Sequence, residues 1–248
     1  MVEKKNLNIG LIGYGNMGKS IEKQAILRGH KIGFITNKTP SYKELKNSNL
    51  ELVLEFSSPK SAVSNIIVCL ENKIPIVCGT TGWENQYDFI KQKCKKYNGS
   101  FLYSPNFSIG VNILFILNKI LAKIMFKSNL DYKVSINEIH HKNKLDSPSG
   151  TAMALAKDII LEKYCKNWVR IPLKKNKKNI YISSKRRDNI IGIHTVFYES
   201  LIDGIQIKHF AKKRKGFALG AIIAAEWLYK KTGIFSMKDV LNLEFVNI

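Results

Sequence analysis

The chain has 248 residues, of which 45% are hydrophobic, so it is long and apolar enough to bury a full core, which excludes disorder as its default state. A formal net charge of +21 suggests a nucleic-acid or membrane-surface partner, but only five of the 40 basic residues are Arg and the lysines are spread along the chain. We therefore expect no nucleic-acid partner. A secretory signal combines a basic end, an apolar run and a cleavage site of small residues, and the N-terminus lacks this combination. We therefore also expect no secretory signal.

The cysteines and the longest apolar segment indicate a cytoplasmic protein without a membrane span. The chain has four cysteines, Cys69, Cys78, Cys94 and Cys165. They form no CxxC pair and have no histidine at the spacing of a zinc site. Reduced thiols in apolar stretches behave as small core residues, and we expect no metal site. Polar residues interrupt the apolar segment 109–126 at Asn112, Asn118, Lys119 and Lys123. The segment therefore predicts a helix with one buried face.

The first hundred residues alternate strand and helix patterns. Short apolar runs predict buried strands at 7–12, 32–36, 50–56, 74–78 and 101–104. Helices are predicted between them at 17–28, 59–72 and 87–97. This alternation is typical of the α/β class with a Rossmann-type, doubly wound parallel sheet. We assign residues 1–106 to a dinucleotide-binding domain.

The pattern changes after Pro105. A long helix at 111–126 precedes a strand at 132–139, in which Tyr132, Val134, Ile136 and, less cleanly, Glu138 alternate with their neighbours. A helix at 151–164 and an exposed loop at 174–179 come before three strands at 180–183, 190–198 and 205–210, the last two joined at an Asp203-Gly204 turn. We expect a second, α+β domain with a mixed or antiparallel sheet at 107–216. Helices at 217–231 and 237–241 return to complete the first domain with residues 217–248.

A complete GxGxxG follows the first predicted strand and opens the first predicted helix, as Gly13-Tyr14-Gly15-Asn16-Met17-Gly18. Gly13 permits the tight turn, Gly15 lets the backbone approach a pyrophosphate, and Gly18 lets helix and strand pack closely. The free amides and the positive dipole end of the helix then bind the phosphates. The context favours dinucleotide binding over the alternative, a glycine-rich turn in a non-binding domain.

The cofactor preference is less defined by the sequence. NAD binders usually carry an acid about 20 residues after the glycines, but the second strand ends in Thr36-Asn37-Lys38. Lys38 facing a 2′-phosphate favours NADPH over NADH, and the alternative is a solvated lysine. The loop Gly79-Thr80-Thr81-Gly82 follows the fourth strand, where ligands of doubly wound folds collect. Its alternative is a loop built only for its turn.

The segment 138–151 contains two adjacent histidines and a nearby lysine, His140, His141 and Lys144. Imidazole exchanges protons near neutral pH, and the Ser149-Gly150-Thr151 helix start is a receptacle for carboxylates. The segment predicts an acidic small molecule held beside a proton donor, against the alternative of a polar loop with incidental histidines. We interpret the isolated histidines as structural or surface residues; they are His30, His194 and His209.

The chain resembles the 4-hydroxy-tetrahydrodipicolinate reductase family, also called dihydrodipicolinate reductases. The resemblance rests on the run Glu138-Ile139-His140-His141 through Pro148-Ser149-Gly150-Thr151 and on the glycine-rich turn. It extends in order over segments 56–59, 79–82, 106–110 and 217–241. The chain is short for the family between the second and third strands and lacks the acid expected near Asn37, which leaves the cofactor preference open.

The resemblance implies NADPH- or NADH-dependent reduction of an unsaturated cyclic dicarboxylate to tetrahydrodipicolinate, on the diaminopimelate route to lysine. It makes His140 the proton donor and Lys144 a second catalytic group, with His141, Gly150 and Thr151 binding substrate carboxylate. The resemblance also implies a set of residues that line the cofactor, and the position of Lys38 at the end of the second strand adds it to that set. The set is Gly13, Tyr14, Gly15, Asn16, Met17, Gly18, Lys38, Gly79, Thr80, Thr81, Ser104, Pro105, Asn106 and Phe107. The resemblance further implies closure of the domains over the substrate and a homotetramer built through the sheet of the second domain.

Three alternatives stand beside this interpretation. A dehydrogenase of an amino acid or oxo acid would need a different loop after Ile136. A dinucleotide sensor or a basic nucleic-acid-binding protein would bind its ligand without turnover. A drifted, lysine-rich member of the family would be a weakened enzyme.

Overall fold

The computed structural model describes residues 6–128, 130–142, 144, 146–170 and 178–242. The chain divides into two compact units. Within the described residues, the first unit comprises those up to Ile109 and those from Lys215 onward, and the second unit comprises those from Gly110 to Arg214. The first unit is therefore discontinuous in sequence, with the second inserted into it.

The elements of the described residues follow the predicted order with some additions. The strands are β1 (Asn8–Ile12), β2 (Lys31–Thr36), β3 (Leu52–Glu55), β4 (Ile76–Cys78), β5 (Ser100–Tyr103), β6 (Lys133–His140), β7 (Asn167–Arg170), β8 (Asn179–Arg186), β9 (Gly192–Glu199), β10 (Gly204–Ala211) and β11 (Gly233–Phe235). The α-helices are α1 (Asn16–Leu27), α2 (Tyr42–Lys46), α3 (Pro59–Glu71), α4 (Tyr87–Lys96), α5 (Ile109–Ser128), α6 (Gly150–Leu161), α7 (Lys215–Leu228) and α8 (Met237–Val240). The sequence patterns did not predict α2, β7 or β11.

The sheet of the first unit is parallel throughout, in the order β11-β5-β4-β3-β1-β2. Successive strands are added outward in both directions from the centre of this sheet, which confirms the predicted Rossmann-type α/β class. Because parallel strands are covered on both faces, β3 is buried at every position. Leu52 and Leu54 lie in the cluster with α1 and α7, whereas Val53 lies in the cluster with α3 and α4.

An ion-pair network joins helices α1 and α7 within the first unit. Arg28, which ends α1, donates through Nε and an Nη to the two carboxylate oxygens of Glu226 at 2.7 and 2.6 Å. The Nε2 of His30 lies 2.8 Å from the same carboxylate, and its Nδ1 accepts from the amide of Leu7. Helix α7 is thus bound to α1 and, through His30, to the residue that precedes β1, on either side of the glycine-rich turn.

The sheet of the second unit is mixed, in the order β10-β9-β6-β8-β7, which confirms the predicted α+β unit. β6 pairs antiparallel with β9 and parallel with β8, and β9 forms the predicted hairpin with β10. The alternating residues Val134, Ile136 and Glu138 of β6 are buried as expected, as is Tyr132 before the strand, and Ser135 is buried as well. The expected loop at 174–179 lies outside the described residues up to 177, and Asn179 begins β8.

Helix α5 is the one described helix that is long and apolar enough to cross a membrane by length and composition, with 28% of its most apolar window buried. Leu114, Ala122 and Met125 pack in the core of the second unit, and Asn118 donates to the carbonyl of Leu155 at 3.0 Å. The helix therefore has the predicted buried face. Other apolar side chains on it are exposed, namely Ile113, Leu117, Ile124 and Phe126.

The cysteines have the environment that the sequence predicts. All four are free and buried. Burial raises the pKa of the Cys69 and Cys78 thiols, since the nearby apolar packing disfavours a thiolate. These thiols behave as small core residues.

Candidate active site

The glycine-rich turn joins β1 to α1 in the first unit, and close backbone contacts explain two of its three glycines. Gly13 has φ +93°, and a Cβ there would lie 2.2 Å from the carbonyl oxygen of Phe56. A Cβ on Gly18 would lie 2.3 Å from the oxygen of Gly13, so α1 approaches the turn closely. At Gly15 a Cβ would meet nothing within 4 Å. That open space, at the N-terminus of a 12-residue helix, fits a pyrophosphate.

Asn37 lies at the end of β2, where a dinucleotide site usually has its acid. Its Oδ1 accepts a hydrogen bond of 2.6 Å from the backbone amide of Tyr14. The side chain therefore fixes the glycine-rich turn without adding negative charge. Lys38 beside it is exposed, and its amide bonds to Oγ1 of Thr36.

Two further loops leave the carboxyl ends of neighbouring strands of the same sheet. Thr80, after β4, is buried and accepts from the amide of Ser57 at 2.9 Å. Ser104, after β5, donates to the carbonyl of Asn106 at 2.7 Å, and the buried ring of Phe107 packs on Phe56. The predicted cofactor residues thus converge on one edge of the parallel sheet, where nucleotides bind in this fold.

A buried carboxylate, which the sequence reasoning missed, supports this edge. Glu55 ends β3 and is fully buried. It accepts from the amide of Ser57 at 3.1 Å, from Nδ2 of Asn65 at 3.2 Å and from the thiol of Cys78 at 3.0 Å. Since Ser57 follows Phe56 directly, this cluster positions the turn that contacts Gly13.

A second buried carboxylate organises the second unit. Glu138 on β6 accepts from the backbone amide of Ser149 at 3.0 and 3.2 Å and from Oγ of Ser184 at 2.7 Å. Its Oε2 also lies 3.6 Å from Nδ1 of His140 and 3.7 Å from Nε2 of His194. The two imidazole rings contact edge to face, with centroids 4.9 Å apart. All three titratable side chains are buried.

The β-sheet register explains how these residues meet. Glu138 faces Ser184 across the β6–β8 pair and His194 across the β6–β9 pair, and His194 in turn faces His209 on β10. Residues directly opposite in adjacent strands have neighbouring side chains. A polar row therefore crosses the apolar sheet at one level.

The charges in this row shift its pKa values. Burial, followed by the neighbouring His194, lowers the pKa of His140 to about 4. Lys144 and Arg186 lower this pKa further, whereas Glu138 raises it. Burial also opposes ionisation of Glu138. Contacts from His194, Ser149 and Ser184 outweigh it and lower the pKa of Glu138 to about 2. At neutral pH the ligand-free site therefore has an ionised Glu138 and an uncharged His140.

The three atoms of Glu138, His140 and His194 lie within 4.8 Å of one another, a spacing that a metal ion could also use. However, the carboxylate already accepts hydrogen bonds from Ser149 and Ser184. We therefore interpret the group as a hydrogen-bonding cluster.

The segment after β6 carries the predicted lysine. The Nζ of Lys144 lies 2.7 Å from the carboxylate of Asp146. Burial raises the pKa of Asp146, but the contact with Lys144 outweighs burial and lowers this pKa. Arg186 donates to the carbonyls of Lys144 at 3.2 Å and Asp146 at 2.6 Å, and Arg170 donates to the carbonyl of Ser147. Two arginines of the sheet therefore fix the backbone around Lys144.

Helix α6 begins beside this cluster. Ser149 is its N-cap, with Oγ accepting from the amide of Ala152 and lying 3.2 Å from Nε2 of His194. Gly150 is exposed and Thr151 half-buried in the first turn. The amides of this turn suit a carboxylate.

The predicted residues of the second unit fall into two groups. His140, Lys144, Gly150 and Thr151 lie on the elements around Glu138. His141 instead lines an open cavity of about 620 Å³, together with Lys142, Asp188, Asn189, Ile190, Ile191 and Arg214.

The sequence reasoning missed three contributors to this site. His194 was interpreted as structural or surface, yet it contacts Glu138 and Ser149. Ser184 and Arg186 also carried no signal in the sequence, since only the pairing of β8 with β6 brings them to the cluster.

The fold and the two sets of residues define a class: a nicotinamide-dinucleotide oxidoreductase with a Rossmann-type unit and an α+β unit that carries a buried cluster of histidines and a carboxylate. Residues 7–107 match the family described as dihydrodipicolinate reductase, N-terminus, and residues 110–241 match dihydrodipicolinate reductase, C-terminus. The chain belongs to the dihydrodipicolinate reductase family.

Individual relatives agree with this assignment. The chain is 47% identical over 242 residues to the 4-hydroxy-tetrahydrodipicolinate reductase of Christiangramia forsetii, covering 97% of this chain and 100% of the relative. It is 38% identical over 259 residues to the protein of the same name from Wigglesworthia glossinidia brevipalpis, covering 94% and 92%. A solved structure of similar fold is the dipicolinate-bound dihydrodipicolinate reductase from Paenisporosarcina sp. TG-14, with TM-score 0.76, 19% identity and coverage of 95% and 99%.

Proposed function

We propose that the protein catalyses the NAD(P)H-dependent reduction of 4-hydroxy-tetrahydrodipicolinate, through dihydrodipicolinate, to tetrahydrodipicolinate in the diaminopimelate route to lysine. The observation that carries the proposal is the buried Glu138–His140–His194 cluster beside the first turn of α6. It combines a proton-transferring group with a receptacle for carboxylate. The names of the relatives support the same reaction.

The residues of the second unit bind the dicarboxylate and move the proton. The amides of Gly150 and Thr151 hold substrate carboxylate, and His141 contributes to carboxylate binding from the cavity that it lines. The ammonium of Lys144 adds fixed positive charge and serves as a second catalytic group. His140 delivers a proton to C3 of the ring when hydride has added to C4, and it must first take up a proton because its pKa is lowered in the free enzyme. The substrate carboxylates favour that uptake, since nearby negative charge stabilises an imidazolium.

The first unit holds the dinucleotide. The open space at Gly15 and the amides of the first turn of α1 take the pyrophosphate, with Tyr14, Asn16 and Met17 beside it. The loops 79–81 and 104–107 line the same edge of the sheet. When bound, the reduced nicotinamide supplies the hydride for C4.

We further propose that NADPH is preferred over NADH. Asn37 places a neutral amide where an acid would repel a 2′-phosphate, and Lys38 beside it is exposed and positively charged. Lys38→Ala should therefore weaken NADPH binding more than NADH binding. Asn37→Asp should do the same through charge repulsion, while its remaining oxygen still accepts from Tyr14. Equal losses for both cofactors, measured by fluorescence titration, would contradict the preference.

The catalytic assay follows nicotinamide oxidation by absorbance, with substrate freshly made from pyruvate and aspartate semialdehyde and with NADPH and NADH in parallel. Oxidation that depends on both protein and substrate is expected. No oxidation by folded protein that binds cofactor would favour a sensor or a weakened enzyme instead.

We also propose a homotetramer that assembles through the sheet of the second unit. Edge strand β10 exposes Ile205 and Phe210, and Leu201 and Ile202 at the hairpin tip are almost fully exposed. Apolar surface of this kind is usual at subunit interfaces. Sedimentation at micromolar concentration tests this, and a monomer would refute it.

A further inference from the structure

We propose that Glu138 is a positioning residue that directs the proton of His140, and that the same carboxylate fixes the carboxylate-binding turn of α6. The inference rests on the proposed reductase function. It assigns Glu138 no contact with substrate. Its role is to hold one side of the imidazole so that the other side delivers the proton.

The surroundings of Nδ1 of His140 determine which ring nitrogen carries the proton. Its Nδ1 is buried, has no hydrogen-bond partner among the described residues, and lies 3.6 Å from Oε2 of Glu138. A charge at this separation stabilises the imidazolium and favours Nδ1 as the protonated nitrogen of the neutral ring. The lone pair of the neutral ring is then on Nε2. Nε2 is therefore the nitrogen that takes up a proton from solvent and passes it to C3 of the ring.

The space beside Nε2 of His140 is limited by Gly192. A Cβ added to Gly192, at the start of β9, would lie 3.2 Å from Nε2 and 3.3 Å from Cδ2 of His140. A larger side chain at this position would press on the side of the ring that must exchange its proton. Glu138 and Gly192 therefore give the two nitrogens of His140 different surroundings.

Glu138 also connects proton transfer with substrate binding. The Glu138 carboxylate accepts from the amide of Ser149, the N-cap of α6, so the same group sets the position of the Gly150–Thr151 turn. The charged and titratable groups around His140 are Glu138 on β6, His194 on β9, Arg186 on β8 and Lys144 in the following loop. Glu138 provides the only negative charge in this set, so its removal leaves none of these groups to stabilise an imidazolium at His140.

The test is Glu138→Gln, which keeps the shape and an oxygen acceptor but removes the charge. Loss of an opposite charge at this distance lowers a pKa by about one to three units. The basic limb of the kcat–pH profile should move down by that amount, with kcat at neutral pH falling about 10- to 1000-fold and the KM for NADPH unchanged. Ser184→Ala is the matched control, because it removes a hydrogen bond to Glu138 but leaves the charge, and its basic limb should stay in place.

A second readout does not depend on turnover. Nitrogen-15 NMR at neutral pH, with His140→Gln used for assignment, should show the wild-type ring protonated on Nδ1, and Glu138→Gln should lose that bias. An unchanged tautomer, or an equal fall of kcat at every pH with an unmoved limb, would overturn the inference and leave Glu138 a structural residue. Activity lost to a chelator and restored by zinc would overturn it in favour of a metal site. If the wild type shows no turnover, the proposed function fails, whereas the NMR result still decides the role of Glu138.

Discussion

Two glycines three residues apart in the turn between β1 and α1 should respond in opposite ways to the same substitution. Gly15→Ala places a methyl group where nothing lies within 4 Å, on an extended backbone with φ −78° that alanine adopts without strain. Its effect on the free energy of unfolding should stay within about 1 kcal/mol, because reduced freedom of the unfolded chain offsets a poorer N-cap. The methyl group does occupy the space proposed for the pyrophosphate.

Gly18→Ala has the opposite signature. The new Cβ would lie 2.3 Å from a backbone oxygen, that of Gly13, which cannot rotate away. Overpacking of this kind destabilises the folded state by up to about 3 kcal/mol, whereas the higher helix propensity of alanine stabilises it by about 1 kcal/mol. The free energy of unfolding should fall by about 2 kcal/mol, which lowers the melting temperature by roughly 4–8 °C for a chain of this size.

Cofactor binding separates the two variants. Loss of one charge-assisted hydrogen bond costs about 1.5–3 kcal/mol, so Gly15→Ala should bind NADPH about 10- to 150-fold more weakly while melting like the wild type. Fluorescence titration and thermal denaturation of both variants provide the comparison. Wild-type NADPH affinity in a folded Gly15→Ala protein would refute the assignment of this turn to the pyrophosphate.

Two other predictions address the second unit and the ion pair of the first. His140→Gln should lower turnover about 10²- to 10⁴-fold, the usual effect of removing a general acid, with NADPH affinity unchanged; full turnover in stopped-flow assays would reject His140 as the donor. Glu226→Gln should lower the free energy of unfolding by about 1–2 kcal/mol at pH 7, since it disrupts a half-buried, bidentate pair with Arg28. Burial raises the pKa of Glu226, but Arg28 and His30 lower it by more, so the pKa in the folded protein is below the ordinary value. The stabilisation that ionised Glu226 provides is therefore complete above the ordinary Glu pKa of about 4.3 and is lost as pH falls through the folded-state pKa. Urea unfolding should show the two proteins converging in acid, and a constant difference would exclude the ion pair as its cause.

Local patterns were sufficient for most of the fold. The five apolar runs became β1 to β5, and the Asp203-Gly204 signal marked the β9–β10 hairpin. The missed strands β7 and β11 are short, lie at sheet edges and are at most half-buried, so they have no periodic pattern. Helix α2 did have a local signal, because Ser41 and Glu44 form a capping box, but a five-residue helix gives too little periodicity to read.

The candidate site was only partly readable for a different reason. The adjacent histidines and the helix start lie within one segment, and their chemistry follows from residue type. His194 is 54 positions beyond His140 and reaches Glu138 only through the β6–β9 register. Register depends on contacts that are distant in sequence, so a lone histidine in a strand gave no indication of its partner. The burial of Glu138 could be inferred from alternation, whereas its role as a shared acceptor could not.

The return of the chain to the first unit determines when that unit can fold during synthesis. Its core contains Ala221, Ile222 and Leu228 of α7 as well as Met237, and β5 gains its outer neighbour only from β11. A nascent chain that ends before residue 215 therefore lacks part of this core and leaves a parallel edge unpaired, a state prone to association. The second unit is contiguous in sequence, and its described strands are all present by residue 211. The unit that the second one interrupts is thus completed only after Lys215, so ribosomal pausing soon after Arg214 would prolong its exposure to chaperones and proteases.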